Sequence, residues 1–280
     1  MNILIGLIPA LCWGLYPIFL TKMGGNYFQQ LFGTGAGIFI FASIVQVLFK
    51  YQISVNDFML YFISGLFWSI GQVGQVWCFK KAGVSTIMPV TTAFQTIGNS
   101  LIGGWLFNEW VGIFDNLLGL VALIIILLGV VISNGLVKIK RKDIMVYLVL
   151  LVTTIGYWGY SGFPHYCHAS GLAGFFPQSL GMVIGAAVIY FVGHNKITGN
   201  DPFGMRNIIS GIVFGGAAST YLVSLSLNGL VNAFALSQLN VVIATMVATV
   251  ILKEKQKSQI ISTLAGLVIL IFGVFMMVSI

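Results

Sequence analysis

Ten apolar runs of about twenty residues divide this chain, and no other feature constrains its fold as tightly. They cover residues 2–21, 30–49, 58–79, 84–106, 114–136, 143–162, 172–193, 207–227, 229–251 and 258–279. A helix needs about 20 residues to cross roughly 30 Å of hydrocarbon. Inside lipid an unpaired backbone group costs several kcal/mol, so each run is expected to be helical. The runs do not alternate between polar and apolar residues, which excludes a transmembrane β-barrel. Only 7% of the residues are charged, against about 25% in a soluble domain. The expected fold is therefore an all-α integral membrane protein with ten transmembrane helices, and its main partner is the lipid bilayer. The net charge of +7 does not indicate a nucleic-acid partner, because the basic residues lie in short runs between spans. Only Met1 and Asn2 precede the first apolar residue of the first run, Ile3, with no basic segment, so the run is expected to be a retained span. Cys12, Cys78 and Cys167 lack metal or redox spacing and read as small packing residues.

Lysine and arginine set the expected orientation. With the N-terminus on one side and the spans alternating, Lys22, Lys80, Lys81, Lys138, Lys140, Arg141, Lys142, Lys196, Arg206, Lys253, Lys255 and Lys257 share the other side. Only Lys50 lies on the side of the N-terminus. The positive-inside rule then puts both termini outside the cell.

The chain also repeats itself. QLFGTGAG at 30–37 and QSLGMVIG at 178–185 share the pattern Q-x-x-G-x-x-x-G. Trp13-Gly14 returns as Trp158-Gly159, Ser64-Gly65 as Ser210-Gly211, Gly83 as Gly229, and Glu109 as Glu254. These echoes share an offset of 145 to 148 residues. They divide the chain into five-span repeats, 1–137 and 138–280. Five is odd, so the second repeat enters the membrane from the opposite face, as in many secondary transporters. Gln30, Gly33 and Gly37, with their counterparts Gln178, Gly181 and Gly185, are expected to be gating or packing elements. Pro89, inside the fourth span, frees a carbonyl and can serve as a hinge or line a cavity.

No Asp, Glu, Lys or Arg falls in the middle of a span. Intramembrane charges mark ion and proton pathways, so the substrate is expected to be neutral. Glu109, at a span end, is the best remaining carboxylate for proton coupling. Trp68, Gln72, Gln75 and Phe79 share a face of span three, spaced four, three and four residues apart. Gln95 lies in span four, Gln238 and Asn240 in span nine, Trp13 in span one, and Tyr157 and Trp158 in span six. Amides offer donors and acceptors to hydroxyl groups, and aromatic rings cover C–H faces. Trp13, Gln72, Gln75, Gln95, Tyr157, Trp158, Gln238 and Asn240 are accordingly the candidate binding residues for a neutral polyol. The same amides also read as glue between helices.

PALCWG (9–14), FQQLFGTGAG (28–37), SGLFWSIGQVGQ (64–75), GVSTIMPVTTAFQ (83–95), FFPQSLGMVIGA (175–186) and LSQLNVVIAT (236–245) together resemble the glucose/ribose porter family. These are bacterial sugar-uptake proteins of the drug/metabolite transporter superfamily. The resemblance implies a cell-membrane importer of a monosaccharide, commonly proton-linked, with ten helices in two inverted repeats. No cofactor or metal is expected. It puts Trp13, Gln30, Gln72, Gln75, Pro89, Gln95, Gln178, Gln238 and Asn240 at matching motif positions. Two other readings stand beside it: export of a metabolite or amino acid on the same fold, and a membrane-embedded enzyme. The second finds no activated nucleophile or paired acidic motif in the sequence.

Overall fold

The computed structural model describes residues 2–134, 141–169, 171–193, 204–253 and 257–280. The proposed boundary between repeats at 137/138 lies outside them, as do Lys138, Lys140, Lys196, Glu254 and Lys255.

Among the described residues every regular element is helical. The α-helices are α1 (Ile3–Met23), α2 (Tyr27–Phe49), α3 (Val55–Ala82), α4 (Val84–Leu101), α5 (Gly112–Asn134), α6 (Arg141–Gly162), α7 (Phe175–Gly193), α8 (Ile208–Ser237), α9 (Asn240–Ile251) and α10 (Lys257–Val278). A π-helical turn, Ile102–Leu106, extends α4. Short 3₁₀ turns, Phe163–Tyr166, Gly171–Gly174 and Met205–Asn207, lead out of α6 and into α7 and α8.

Seven helical segments among the described residues are long and apolar enough to cross a membrane, which makes this a multi-pass membrane protein. One of them, Met205–Ile251, is 47 residues long. At about 1.5 Å per residue it is more than twice the length of a single crossing. It is interrupted at Gly229, whose φ of +75° and ψ of 174° end the helix in a conformation that favours glycine. Gly83, between α3 and α4, has nearly the same angles, +81° and 156°. Helices α3 and α4 are absent from the seven because polar side chains, including Gln72, Gln75, Thr91, Thr92 and Asn99, lower their hydropathy; all five are buried.

One expected span is built differently. Residues 229–251 do not form a single helix. The first turns continue α8, the ladder breaks at Gln238 and Leu239, and α9 starts at Asn240. Across the break the amides of Leu239, Val241 and Val242 bond to carbonyls three residues back instead of four. A second departure is Trp110, which reads as an interface anchor by position but is buried against Gly104 and Gly119.

Packing follows a regular scheme. The principal pairs are α1 with α8 and α9, α6 with α3 and α4, α2 with α7 and α8, α3 with α7, α4 with α9, and α5 with α10. Moving every helix five places along, cyclically, returns the same set. The closest approaches run along glycines. A Cβ on Gly37 would lie 2.2 Å from the Ile208 carbonyl oxygen, and one on Gly211 would lie 2.3 Å from that of Thr34, so α2 and α8 meet backbone to backbone. The α3–α7 seam is alike: a Cβ on Gly65 would lie 2.0 Å from the Gln178 carbonyl oxygen, and one on Gly181 equally close to that of Phe62. The small residues of both octapeptides therefore face partners within the chain. Small-residue faces of this kind let membrane helices gain dispersion energy where lipid supplies no hydrophobic drive.

Gly65→Ala should lower stability by about 1–3 kcal/mol, the usual cost of overpacking. Gly216→Ala should be tolerated, since its nearest neighbour would be the Cys12 sulfur at 4.0 Å. Thermal unfolding of both variants in detergent checks the contrast.

Candidate functional site: a central cavity with an amide wall and an aromatic wall

A cavity lies among α1, α3, α4, α6, α8 and α9. Gln75, Met88, Thr91, Thr92 and Gln95 of α3 and α4 form one wall. Trp13 and Tyr16 of α1, with Phe214 and Phe234 of α8, form an aromatic wall. Tyr157 and Tyr160 enter from α6, and Gln238 and Asn240 from the break between α8 and α9. None of the lining side chains carries a charge.

The polar residues reach this point for local reasons. Helix α3 puts Gln72 and Gln75 on one face, turned away from lipid. Pro89 interrupts the α4 ladder directly after Met88. The break after Ser237 turns Gln238 and Asn240 into the same cavity.

A hydrogen-bonded chain runs behind and along the amide wall. The Thr34 and Tyr16 hydroxyls lie 3.2 Å apart. Gln72 Nε2 is 2.9 Å from the Tyr16 hydroxyl, and Gln72 Oε1 is 2.8 Å from the Tyr157 hydroxyl. That same hydroxyl lies 2.5 Å from Gln75 Oε1. Gln75 Nε2 is 3.4 Å from Thr91 Oγ1, to which Gln95 Nε2 donates at 2.9 Å. A tyrosine has one hydroxyl proton, so Tyr157 cannot donate to both carbonyl oxygens. Amide orientation is assigned from the hydrogen-bond network and can be reversed. Tyr157 donates to one of the two, and the amide of the other is turned to offer its N–H to the tyrosine oxygen.

Several polar atoms at the cavity have no partner among the described residues: Trp13 Nε1, Thr92 Oγ1, Tyr160 Oη and Asn240 Oδ1. Buried polar groups are nearly always paired, so these are the groups that a polar ligand would satisfy. The aromatic wall is braced by ring contacts of Phe214 with Trp13 at 5.6 Å, Tyr16 at 5.1 Å and Trp68 at 5.2 Å.

Of the sequence candidates, Trp13, Gln75, Gln95, Tyr157, Gln238 and Asn240 line this one cavity. Gln72 does not; it is fully buried behind Tyr157. Trp158 does not either: its indole packs against Gly98, and Nε1 donates to the Phe94 carbonyl at 3.1 Å. Gln30 Nε2 donates to the carbonyls of Leu20 and Gly24 and closes the end of α1. Gln178 Nε2 donates to Ser64 Oγ at 2.8 Å, and that hydroxyl donates to the Tyr160 carbonyl. Glu109 lies outside the cavity and binds the backbone N–H groups of Leu230 and Val231. His165, in the 3₁₀ turn Phe163–Tyr166, stacks on Phe107 with ring centroids 3.6 Å apart.

Phe214, Phe234 and Met88 escaped the sequence reading. Nothing in the sequence separates those two phenylalanines from the rest of the 22.

The family described as Sugar transport protein matches residues 4–280. A Lactobacillus helveticus protein named for sugar uptake is 38% identical over 98% of this chain and 99% of its own length. The glucose uptake protein GlcU of Bacillus subtilis (strain 168) is 33% identical over 97% and 96%. A Staphylococcus epidermidis protein (strain ATCC 12228 / FDA PCI 1200) named for ribose uptake, RbsU, is 40% identical over 96% and 95%. One solved crystal structure superposes with a TM-score of 0.73 over 98% of this chain and 97% of its own, at 15% identity, a likeness of fold alone. The family and these relatives are named as transporters and not as enzymes. Matched along nearly its whole length and sharing a third or more of its residues with these relatives, the chain belongs to the sugar transport protein family.

Proposed function

We propose that this protein imports a neutral monosaccharide, glucose- or ribose-like, across a bacterial cell membrane by alternating access. The observation that carries the reading is the uncharged cavity with amides on one wall and aromatic rings on the other. A pyranose or furanose has hydroxyl groups round its edge and C–H groups on its faces. The amide wall answers the first and the aromatic wall the second. The names of the relatives point to the same chemistry.

Our reading of the architecture is ten crossings in two inverted five-helix repeats, 1–137 and 138–280, with both termini outside. It is supported by packing pairs that recur after a shift of five helices, and by the matched angles at Gly83 and Gly229. Under this reading the seams of Gly33 and Gly37 and of Gly181 and Gly185 are sliding surfaces for the two access states, with Gln30 and Gln178 on the same helices and Pro89 as a hinge in α4. Both oxygens of Glu109 are committed to backbone donors outside the cavity. Proton coupling through Glu109 therefore acts on closure of that end and not on the sugar.

Purified protein in liposomes should take up labelled glucose or ribose, and unlabelled monosaccharide should compete. Competition by amino acids but not by sugars would instead favour an exporter. Gln75→Ala and Gln95→Ala should each weaken sugar binding by roughly tenfold, since an unpaired buried partner costs about 1–3 kcal/mol. Unchanged affinity in both folded variants would remove the amide wall from the site. Uptake is also measured with and without an imposed pH gradient. Acceleration that Glu109→Gln abolishes assigns coupling to that carboxylate; uptake indifferent to the gradient makes the transporter facilitative.

A further inference from the structure

Two carboxylates that the cavity does not use lie at one end of the bundle. Asp57, in the first turn of α3, accepts the backbone N–H groups of His168 and Ala169, one on each oxygen, at 3.0 Å. Glu109, beyond the end of α4, accepts those of Leu230 and Val231 in the same way, at 2.8 Å. Each carboxylate belongs to the first proposed repeat, and all four donors belong to the second. Phe107, two residues before Glu109, stacks on His165, three residues before His168. The Asn2 N–H donates to Asn228 Oδ1 at 2.8 Å, beside Gly229. The four contacts therefore lie at the end that carries the start of α1.

The Glu109 contact is closely fitted. Leu230 and Val231 restart the helix after Gly229, so their N–H groups lack helical partners and carry the positive end of the helix dipole. A Cβ on Gly229 would approach Glu109 Oε2 to 3.2 Å, and one on Gly103 would reach 2.7 Å from Val231. Among the described residues neither carboxylate forms an ion pair, so the backbone donors are its chief partners. Such charge-assisted bonds are about twice as strong as neutral ones.

Each contact also ties together helices that bear the cavity. Phe234 stands one turn beyond Leu230 and Val231. Asp57 begins the helix that carries Gln75, and His168 and Ala169 follow the helix that carries Tyr157.

We propose that Asp57 and Glu109 are paired positioning residues that hold this end of the cavity shut, and that the transport cycle opens it by releasing the four N–H groups. The proposal rests on the transport reading, but its test does not require sugar. An amide in place of either carboxylate keeps the shape but turns its NH₂ towards a donor, so one bond of the pair is lost.

Cys12, Cys78 and Cys167 are replaced, and Thr92→Cys puts a reporter thiol in the cavity. A membrane-impermeant maleimide is then applied from either face of proteoliposomes. Glu109→Gln and Asp57→Asn should each speed labelling from the N-terminal face by about tenfold, as loss of a buried bond implies, and slow it from the other face. Unchanged rates, or an equal rise from both faces, would overturn the proposal. As a second measurement, Asn2→Cys with Asn228→Cys, oxidised to a disulfide, should abolish labelling from the N-terminal face until it is reduced. Free labelling through the locked end would also overturn it. Labelling that changes as expected in a protein that binds no sugar would refute the sugar reading and leave the closure intact.

Discussion

Hydrocarbon offers no partner to a polar group, and the rest of this structure depends on that fact. Every amide, hydroxyl and carboxylate has to be answered inside the protein or moved to an end. The glutamines of α3 and α4 are answered by tyrosines of α1 and α6 and by Thr91. The carboxylates Asp57 and Glu109 stand at helix ends, where interrupted ladders leave backbone N–H groups to receive them. A polar cavity survives at the centre because six helices supply its walls and keep lipid out.

The same solvent removes the usual reason for helices to associate. The glycine seams supply another. At Gly37 and Gly211, and at Gly65 and Gly181, backbones touch with no side chain between them. Such contacts are dense, lack long interlocking side chains and leave room for one helix to shift along another. They give physical substance to the proposed rocking of one repeat against the other, with the amide wall on α3 and α4 and much of the aromatic wall on α8.

Much of the site was legible because membrane helices place few amides in lipid. Any glutamine near mid-span has to face inwards, and spacing then decides which of them share a side. Gln75, Gln95, Gln238 and Asn240 meet in one cavity as that logic requires. Gln72 shows its limit. Helical spacing puts Gln72 beside Gln75, but a turn of helix separates the cavity surface from the layer behind it. Trp158 shows another: Trp13, its counterpart in the proposed repeat, lines the cavity, while Trp158 packs against Gly98.

The sequence by itself determined the helical class and the membrane setting. Both follow from composition and run length, which are local quantities. Only the tertiary structure decided where the span at 229–251 breaks, which phenylalanines form the aromatic wall, and what Glu109 binds. Each of these depends on atoms far apart in the chain. Glu109 meets Leu230 across 121 residues, and Tyr157 meets Gln72 across 85. No local pattern encodes such a meeting; the packing of α1, α3, α4, α6 and α8 around one cavity does.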